Sequence, residues 1–348
     1  MITNSATRAR GALYGLAIGD ALGMPTQMLS RREIAERWGP LLTGFEPAPP
    51  DHPIAAGLPA GAVTDDTEQA VLLGRLLVRG RGTVDPRELA EALVSWERDM
   101  AARGSLDLLG PSTKRAVAAI GEGVPPEEAG ASGTTNGAAM RITPVGIAVS
   151  LDPPEAASPE TAPPATRPSL STLVDQVVAV SRVTHNTGVA LAGAAAVAAA
   201  VSAGLSGADV DEATAFAVDA ASIAADRGHW VAGADVAARI EWATRLASGR
   251  DVAAAAEVIY TLVGTSLATQ ESVPAAFAVL AAVPGDPWRA CLLAASLGGD
   301  CDTIAAMAGA VAGACHGVGA FPAGALAVID AHGLGLSALA DDLYALRS

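Results

Sequence analysis

Apolar residues recur along the chain at helical spacing, and no convincing run alternates them with polar residues as a half-buried strand requires. Over residues 67–78, Ala70, Leu73 and Leu77, with Leu72 and Leu76 beside them, make an apolar stripe, while Arg75 and Arg79 supply the wet side. Asp85, Pro86 and Glu88 read as an N-cap, a first-turn proline and a capping-box carboxylate, with Leu89, Leu93 and Trp96 following on one face. Residues 188–205, 214–225 and 304–314 are rich in alanine, the residue of highest helix propensity. The pattern predicts an all-α fold of many orthogonally packed helices. In residues 11–23, Gly11, Gly15, Gly19 and Gly23 stand four apart, baring one helix face for a neighbouring helix or for a ligand.

Two segments interrupt the helical pattern. Residues 151–170 are dense in Pro, Ala, Ser and Thr and form neither a helix interior nor a central strand, so they read as a surface loop or a linker. Residues 46–53 are a proline-rich loop by the same argument. Residues 188–208 carry no charge over the length of a membrane span, but alanine and glycine dominate where a span would hold Leu, Ile and Phe. A buried core helix is expected there, with no membrane partner.

The 348 residues are 51% apolar and only 17% charged, which rules out intrinsic disorder because enough surface can be buried to offset chain ordering. A net charge of −15 without a basic cluster argues against nucleic acid as a partner. Cys291, Cys301 and Cys315 are an odd number without zinc-ribbon spacing, which fits a reducing cytoplasm. Asp20 interrupts the first apolar stretch and no small-residue cleavage site follows, so a secretory signal is not expected.

The chemistry concentrates where carboxylates precede helices. Thr64-Asp65-Asp66-Thr67 and Asp300-Cys301-Asp302-Thr303 each open an Ala- or Leu-rich helix. One Asp suffices as an N-cap, and doubled carboxylates repel one another at neutral pH, so a cation is expected to offset them. Oxygen-only donors favour Mg²⁺, Mn²⁺ or Ca²⁺ over zinc, and four carboxylates with two Thr hydroxyls, if they converge, can hold two divalent ions roughly 3.5–4 Å apart. Asp65 and Asp302 flank the proline-rich stretch, so their convergence makes 151–170 a surface loop of a single domain spanning residues 1–348. Asp20, inside an apolar helix, needs a partner: an N–H, an Arg or the metal shell. The small-residue loop 133–141, ending in Arg141, suits a pyrophosphate as well as it suits a plain turn, and His185 opens the longest Ala-rich helix where an anion can approach.

Taken in order, GDALGMP (19–25), TDDT (64–67), TNGAAMR (135–141), THN (184–186) and GGDCDT (298–303) resemble the ADP-ribosylglycohydrolase family, of the dinitrogenase-reductase-activating and ADP-ribosyl-acceptor hydrolase type. The resemblance implies an all-α fold, two Mg²⁺ or Mn²⁺ ions, and hydrolysis of the bond joining ADP-ribose to an acceptor such as arginine or serine. It makes Thr64, Asp65, Asp66, Asp300, Asp302 and Thr303 metal ligands, and sets Asn136, Gly137, Met140, Arg141 and His185 around ADP-ribose. Many members carry Glu where this chain has Gln27, which cannot act as a base, and Cys301 replaces the usual Thr. Asp302 and Asp107 are the remaining candidates for the proton-accepting carboxylate. The substrate is then an ADP-ribosylated protein or a small ADP-ribosyl or ribosyl compound. Alternatives on the same fold are a nucleoside-type hydrolase and a non-catalytic ADP-ribose binder. An isoprenoid-synthase reading fails at Gln69, where a third Asp is required.

Overall fold

The computed structural model describes residues 4–104, 109–151 and 168–347. Asp107 and nearly all of the 151–170 stretch lie outside the described residues. Eighteen α-helices occur among the described residues and no strand does; extended chain meets only at two isolated bridges, Thr135 with Ala268 and Thr187 with His229. The fold class is the all-α one that the periodicity predicts. One contiguous hydrophobic cluster takes Leu13, Leu73 and Leu93 from before residue 151 and Val197, Phe277 and Val311 from after it.

The four glycines pack a helix. Asn4–Gly23 runs beside Cys301–His316, and a Cβ at Gly11, Gly15, Gly19 or Gly23 would collide with the backbone of Gly313, Gly309, Ala305 or Asp302 respectively. Gly309 and Gly313 return the favour by meeting the Gly15 and Gly11 carbonyls. Bare faces on both helices let the two backbones touch, and the last rung of the contact, Gly23 on Asp302, lies at the acidic motif. The charge-free helix Gly188–Leu205 is interior: every residue but Val189 is buried, under Val210–Ala224, Cys301–His316, Thr143–Ala148 and Pro168–Ser181.

Local signals behave as their chemistry dictates, with one correction. Asp85 caps Pro86–Ala102, accepting from the N–H groups of Arg87 (2.8 Å) and Glu88 (3.1 Å). Glu88 does not close a capping box, because its carboxylate turns to Arg79 instead. A capping box that the pattern reading passes over sits at Ser30 and Glu33, opening the short helix Arg31–Trp38.

Candidate metal centre and cleft

Asp20 is fully buried in the first helix and grips the start of the helix Asp65–Arg79. Its carboxylate accepts from the Thr64 N–H (2.9 Å) and hydroxyl (2.6 Å), from the Thr67 N–H (3.2 Å), and from the Thr67 hydroxyl. The N–H partner expected for Asp20 is therefore present. It also settles where the Thr64 hydroxyl goes: the Thr64 side chain makes no cap of its own, and neither does that of Asp300 at the start of Cys301–His316. The paired acids of the two motifs are not spent as N-caps.

They converge instead. Asp20, Asp66 and Asp302, all buried, bring one carboxylate oxygen each within 4.8 Å of one another. Burial pushes Asp20, Asp66 and Asp300 above the usual carboxylate range, and Asp66 is raised further by Asp65, Asp302, Asp20 and Asp300 around it. Asp66 Oδ1 is buried and receives no hydrogen bond. An unpaired carboxylate oxygen facing like charges is costly in a dry site, and an all-oxygen donor set fits a hard divalent cation such as Mg²⁺ or Mn²⁺.

Asp65, Asp66 and Asp300 are each oriented by a neutral donor that leaves further acceptor capacity. Thr303 donates to Asp66 Oδ2 (3.2 Å), Gln69 to Asp65 Oδ2 (3.1 Å), and the Asn136 amide to Asp300 Oδ2 (2.5 Å) and Ser272 Oγ (3.0 Å). Gly298 (φ +87°) and Gly299 (φ +72°) turn the chain into Asp300 through left-handed backbone. Each of these glycines is pressed against another backbone, Gly298 on Leu29–Arg31 and Gly299 on Thr265, so no side chain fits.

The acids open onto a cavity of about 160 Å³ lined by Asp65, Asp300, Asp302 and Thr303 together with Thr113, Thr135, Asn136, Gly137 and Met140. Gln27, Met28, Ile54, Gly110, Pro111 and Leu267 complete the lining. Larger grooves exist, one of about 480 Å³ beside Trp96, but none of them holds the carboxylate cluster; donor chemistry rather than size selects the cleft. No Lys or Arg lines it among the described residues. Thr64 and Asp66 lie behind its surface.

Arg141 and His185, expected around ADP-ribose, are not among the residues that line the cavity. Arg141 is 2% exposed and donates to Gln69 Oε1 (2.9 Å) and Thr184 Oγ1 (2.5 Å); burial lowers its guanidinium to about 10, still protonated at neutral pH. His185 is fully buried, with Nδ1 2.7 Å from Thr184 Oγ1 and Nε2 3.0 Å from Thr135 Oγ1. The physical reason is Gly137, which seats on the imidazole so closely that a Cβ would lie 2.9 Å from His185 Cε1. Cys301 points away from the acids, its sulfur 3.3 Å from Thr26 Oγ1.

His52 fixes the opposite rim. Its Nδ1 accepts from the N–H groups of Ala55 (2.8 Å) and Ile54 (3.3 Å), so Nε2 carries the proton and donates to the Gln27 carbonyl (2.9 Å). Burial depresses its pKa, with the Arg37 charge adding to the effect. Below about pH 6.5 the unfolded chain binds a proton that the folded ring refuses, so this contribution to stability falls with acidification. Urea midpoints measured between pH 7.5 and 5.5 are expected to fall more steeply in the wild type than in His52→Gln; equal slopes would remove His52 from the account.

A family model described as ADP-ribosylglycohydrolase matches residues 1–348. The chain belongs to the ADP-ribosylglycohydrolase family. Within reach of this glycohydrolase chain lies the uncharacterized protein YegU of Escherichia coli (strain K12), 34% identical over 93% of this chain and 92% of that protein. ADP-ribosyl-dinitrogen reductase glycohydrolase of Rhodospirillum rubrum is 27% identical, over 93% of this chain and 90% of its own length. ADP-ribosylarginine hydrolase Tri1 of Pseudomonas putida (strain GB-1) is 29% identical, over 90% and 72%. A solved structure described as an ADP-ribosylglycohydrolase-related protein complex superimposes with a TM-score of 0.67 at 26% identity, covering 99% of both chains.

Proposed function

We propose that this chain is a metal-dependent hydrolase that cleaves the glycosidic bond between ADP-ribose and an acceptor side chain, with arginine the first acceptor to test. The observation that carries the reading is the buried convergence of Asp20, Asp66 and Asp302, with an Asp66 oxygen that no protein group satisfies. Two Mg²⁺ or Mn²⁺ ions are the proposed occupants, held by Thr64, Asp65, Asp66, Asp300, Asp302 and Thr303 as one domain over residues 1–348. The engagement of the Thr64 hydroxyl with Asp20 makes it the weakest member of that set. When bound, such ions supply positive charge that activates water near neutral pH. Asp302, lining the cleft, is the proposed proton acceptor, with Asp107 a second candidate. Asn136 and Gln69 hold Asp300 and Asp65 in place, and Gly137 and Met140 bound the space for the ADP-ribosyl group. A reducing cytoplasm is the proposed location, in keeping with three buried, unbridged cysteines.

The test is release of free ADP-ribose from an ADP-ribosyl-arginine peptide with Mg²⁺, with Mn²⁺ and with a chelator. Release that the chelator abolishes is expected; release that survives chelation would end the metal-dependent reading.

Gln27 favours a second reading of the leaving group. It is 4% exposed, lines the cleft, and its Nε2 has no hydrogen-bond partner. An amide offers both a donor and an acceptor, whereas a guanidinium only donates, so a hydroxyl-linked acceptor or a small ribosyl metabolite satisfies Gln27 more fully. Gln27→Glu is expected to move the ratio of arginine-linked to serine-linked turnover towards arginine by roughly tenfold, as a charged partner replaces a neutral one. An unchanged ratio would remove Gln27 from substrate choice.

A further inference from the structure

On a chain of net charge −15, residues 228–234 carry no Asp, Glu, Lys or Arg. They join the helices Val210–Ala224 and Val236–Ala247 and hold Trp230, which at 86% exposure is the most exposed large hydrophobic side chain described. Single apolar side chains in water are common; what sets this one apart is that the backbone on both sides of it is fixed. The His229 N–H donates to the Asn186 carbonyl (2.8 Å), and the His229 carbonyl accepts from the Gly188 N–H (2.9 Å). Gly228 seats on the backbone of Asn186 and Thr187, Gly233 seats on the Gln270 side chain, and Asp235 caps the next helix through the Ala238 N–H (2.7 Å). Trp242 on that helix is 37% exposed and has the Arg239 guanidinium 5.2 Å over its ring. Trp230 has no ring contact or hydrogen bond among the described residues, so a rigid loop holds a bare indole out in solvent.

The same braces run to the cleft. The Asn186 N–H donates to the Gly130 carbonyl (2.8 Å) and the Thr187 hydroxyl to the Gly133 carbonyl (2.6 Å), on the segment that leads into Thr135 and Asn136. Gln270, under Gly233, follows Thr269, whose hydroxyl donates to the Thr134 carbonyl (2.9 Å), and the nearby Leu267 is 38% exposed and lines the cavity. The loop therefore stands on two segments that build one wall of the cleft. A protein acceptor cannot enter a cavity of about 160 Å³ and must rest on the surface around it. We propose that residues 228–234, anchored by Trp230, are the docking surface for the protein that carries the ADP-ribosyl group, and that this partner presents a neutral to basic face. The partner's identity rests on the ADP-ribosyl reading. Charge selects among occupants: an anionic bilayer or a second copy of this acidic chain is repelled, whereas a basic surface is attracted. The loop itself has no charge to desolvate, and tryptophan on a preorganised backbone is the residue type that most often carries the energy of an interface.

Two measurements test this. The first compares kcat/KM in Mn²⁺ on a basic folded protein, lysozyme ADP-ribosylated on arginine, with that on free ADP-ribosyl-arginine. Trp230→Ala is expected to lower the value for the protein about tenfold or more, through KM, to leave the free compound unchanged, and Trp230→Tyr to retain most of the wild-type value. Equal rates on the protein for wild type and Trp230→Ala would overturn the docking role, and so would an equal loss on the free compound, which would put Trp230 in the ligand site itself. The second needs no turnover: fluorine-19 NMR of the 5-fluorotryptophan-labelled protein in chelator, with the Trp230 resonance assigned by its absence from Trp230→Tyr. That resonance is expected to shift on addition of the modified lysozyme and to stay in place with ADP-ribosyl-arginine. A shift that grows with the protein's own concentration would assign the loop to a second copy of the chain, and a shift with anionic vesicles would assign it to a membrane; either would overturn the proposal. If neither substrate is hydrolysed, the functional reading fails, while a Trp230 resonance unmoved by the modified lysozyme overturns the docking surface by itself.

Discussion

Gly19→Ala is expected to destabilise the protein by about 3 kcal/mol or more, at the upper end of what overpacking costs. The added methyl would meet the carbonyl of Ala305 and the backbone nitrogen of Ala306. Backbone inside a helix cannot step aside as the tip of a side chain can, so the two helices must part along their whole contact. Gly11, Gly15 and Gly23 carry the same penalty, and at Gly23 the displaced atoms belong to Asp302. Gly23→Ala therefore couples a loss of stability to a loss of metal response, while Gly19→Ala acts chiefly on stability. Gly324→Ala is the control: it lies in the helix Ala323–Asp330 with open space where its Cβ would go, and is expected to be neutral or to gain up to about 1 kcal/mol. Urea unfolding of the three variants checks the set, and wild-type stability in Gly19→Ala would contradict the packing account.

Asp66→Asn is expected to move stability and activity in opposite directions. In the metal-free protein Asp66 is buried among Asp20, Asp65, Asp300 and Asp302, with one oxygen unpaired. An amide there removes a charge that nothing on the protein balances, can donate towards the neighbouring carboxylates, and still accepts from Thr303. The metal-free variant should melt at or above the wild-type temperature. Turnover of the ADP-ribosyl substrate should fall by about 10³ or more, because a divalent ion loses a charged ligand. Thermal melts in chelator and initial rates in Mn²⁺ check both halves. A variant that melts lower and turns over normally would assign Asp66 to structure alone.

The fold and the acidic wall were legible for the same reason: each rests on a local rule that the tertiary structure does not override. Alanine-rich stretches and the stripe over 67–78 became helices because their faces had a core to meet. The doubled Asp residues stood out because one carboxylate is enough to cap a helix, and neither Thr64 nor Asp300 turned out to cap with its side chain. The four-residue glycine spacing marked a helix contact, and the same spacing at Gly309 and Gly313 was available to name its partner.

What stayed hidden depends on neighbours distant in sequence. Arg141 reads as a cation beside a loop, and only Gln69 and Thr184, 72 and 43 residues away, turn it inward. Thr135 reads as an ordinary turn residue until His185, 50 residues on, reaches its hydroxyl. Glu88 matches a capping box, but Arg79 of the preceding helix outcompetes a backbone N–H for its carboxylate. The role of Asp20 was bounded by the cost of burying a carboxylate; that Thr64 and Thr67 would satisfy it followed from no spacing rule.

The central claim is that the buried carboxylates form a divalent-metal centre, and calorimetric titration of the metal-free protein with Mn²⁺ tests it most directly. The account predicts two Mn²⁺ ions per chain, displaceable by excess Mg²⁺. A titration that shows no binding to the folded wild-type protein would contradict it.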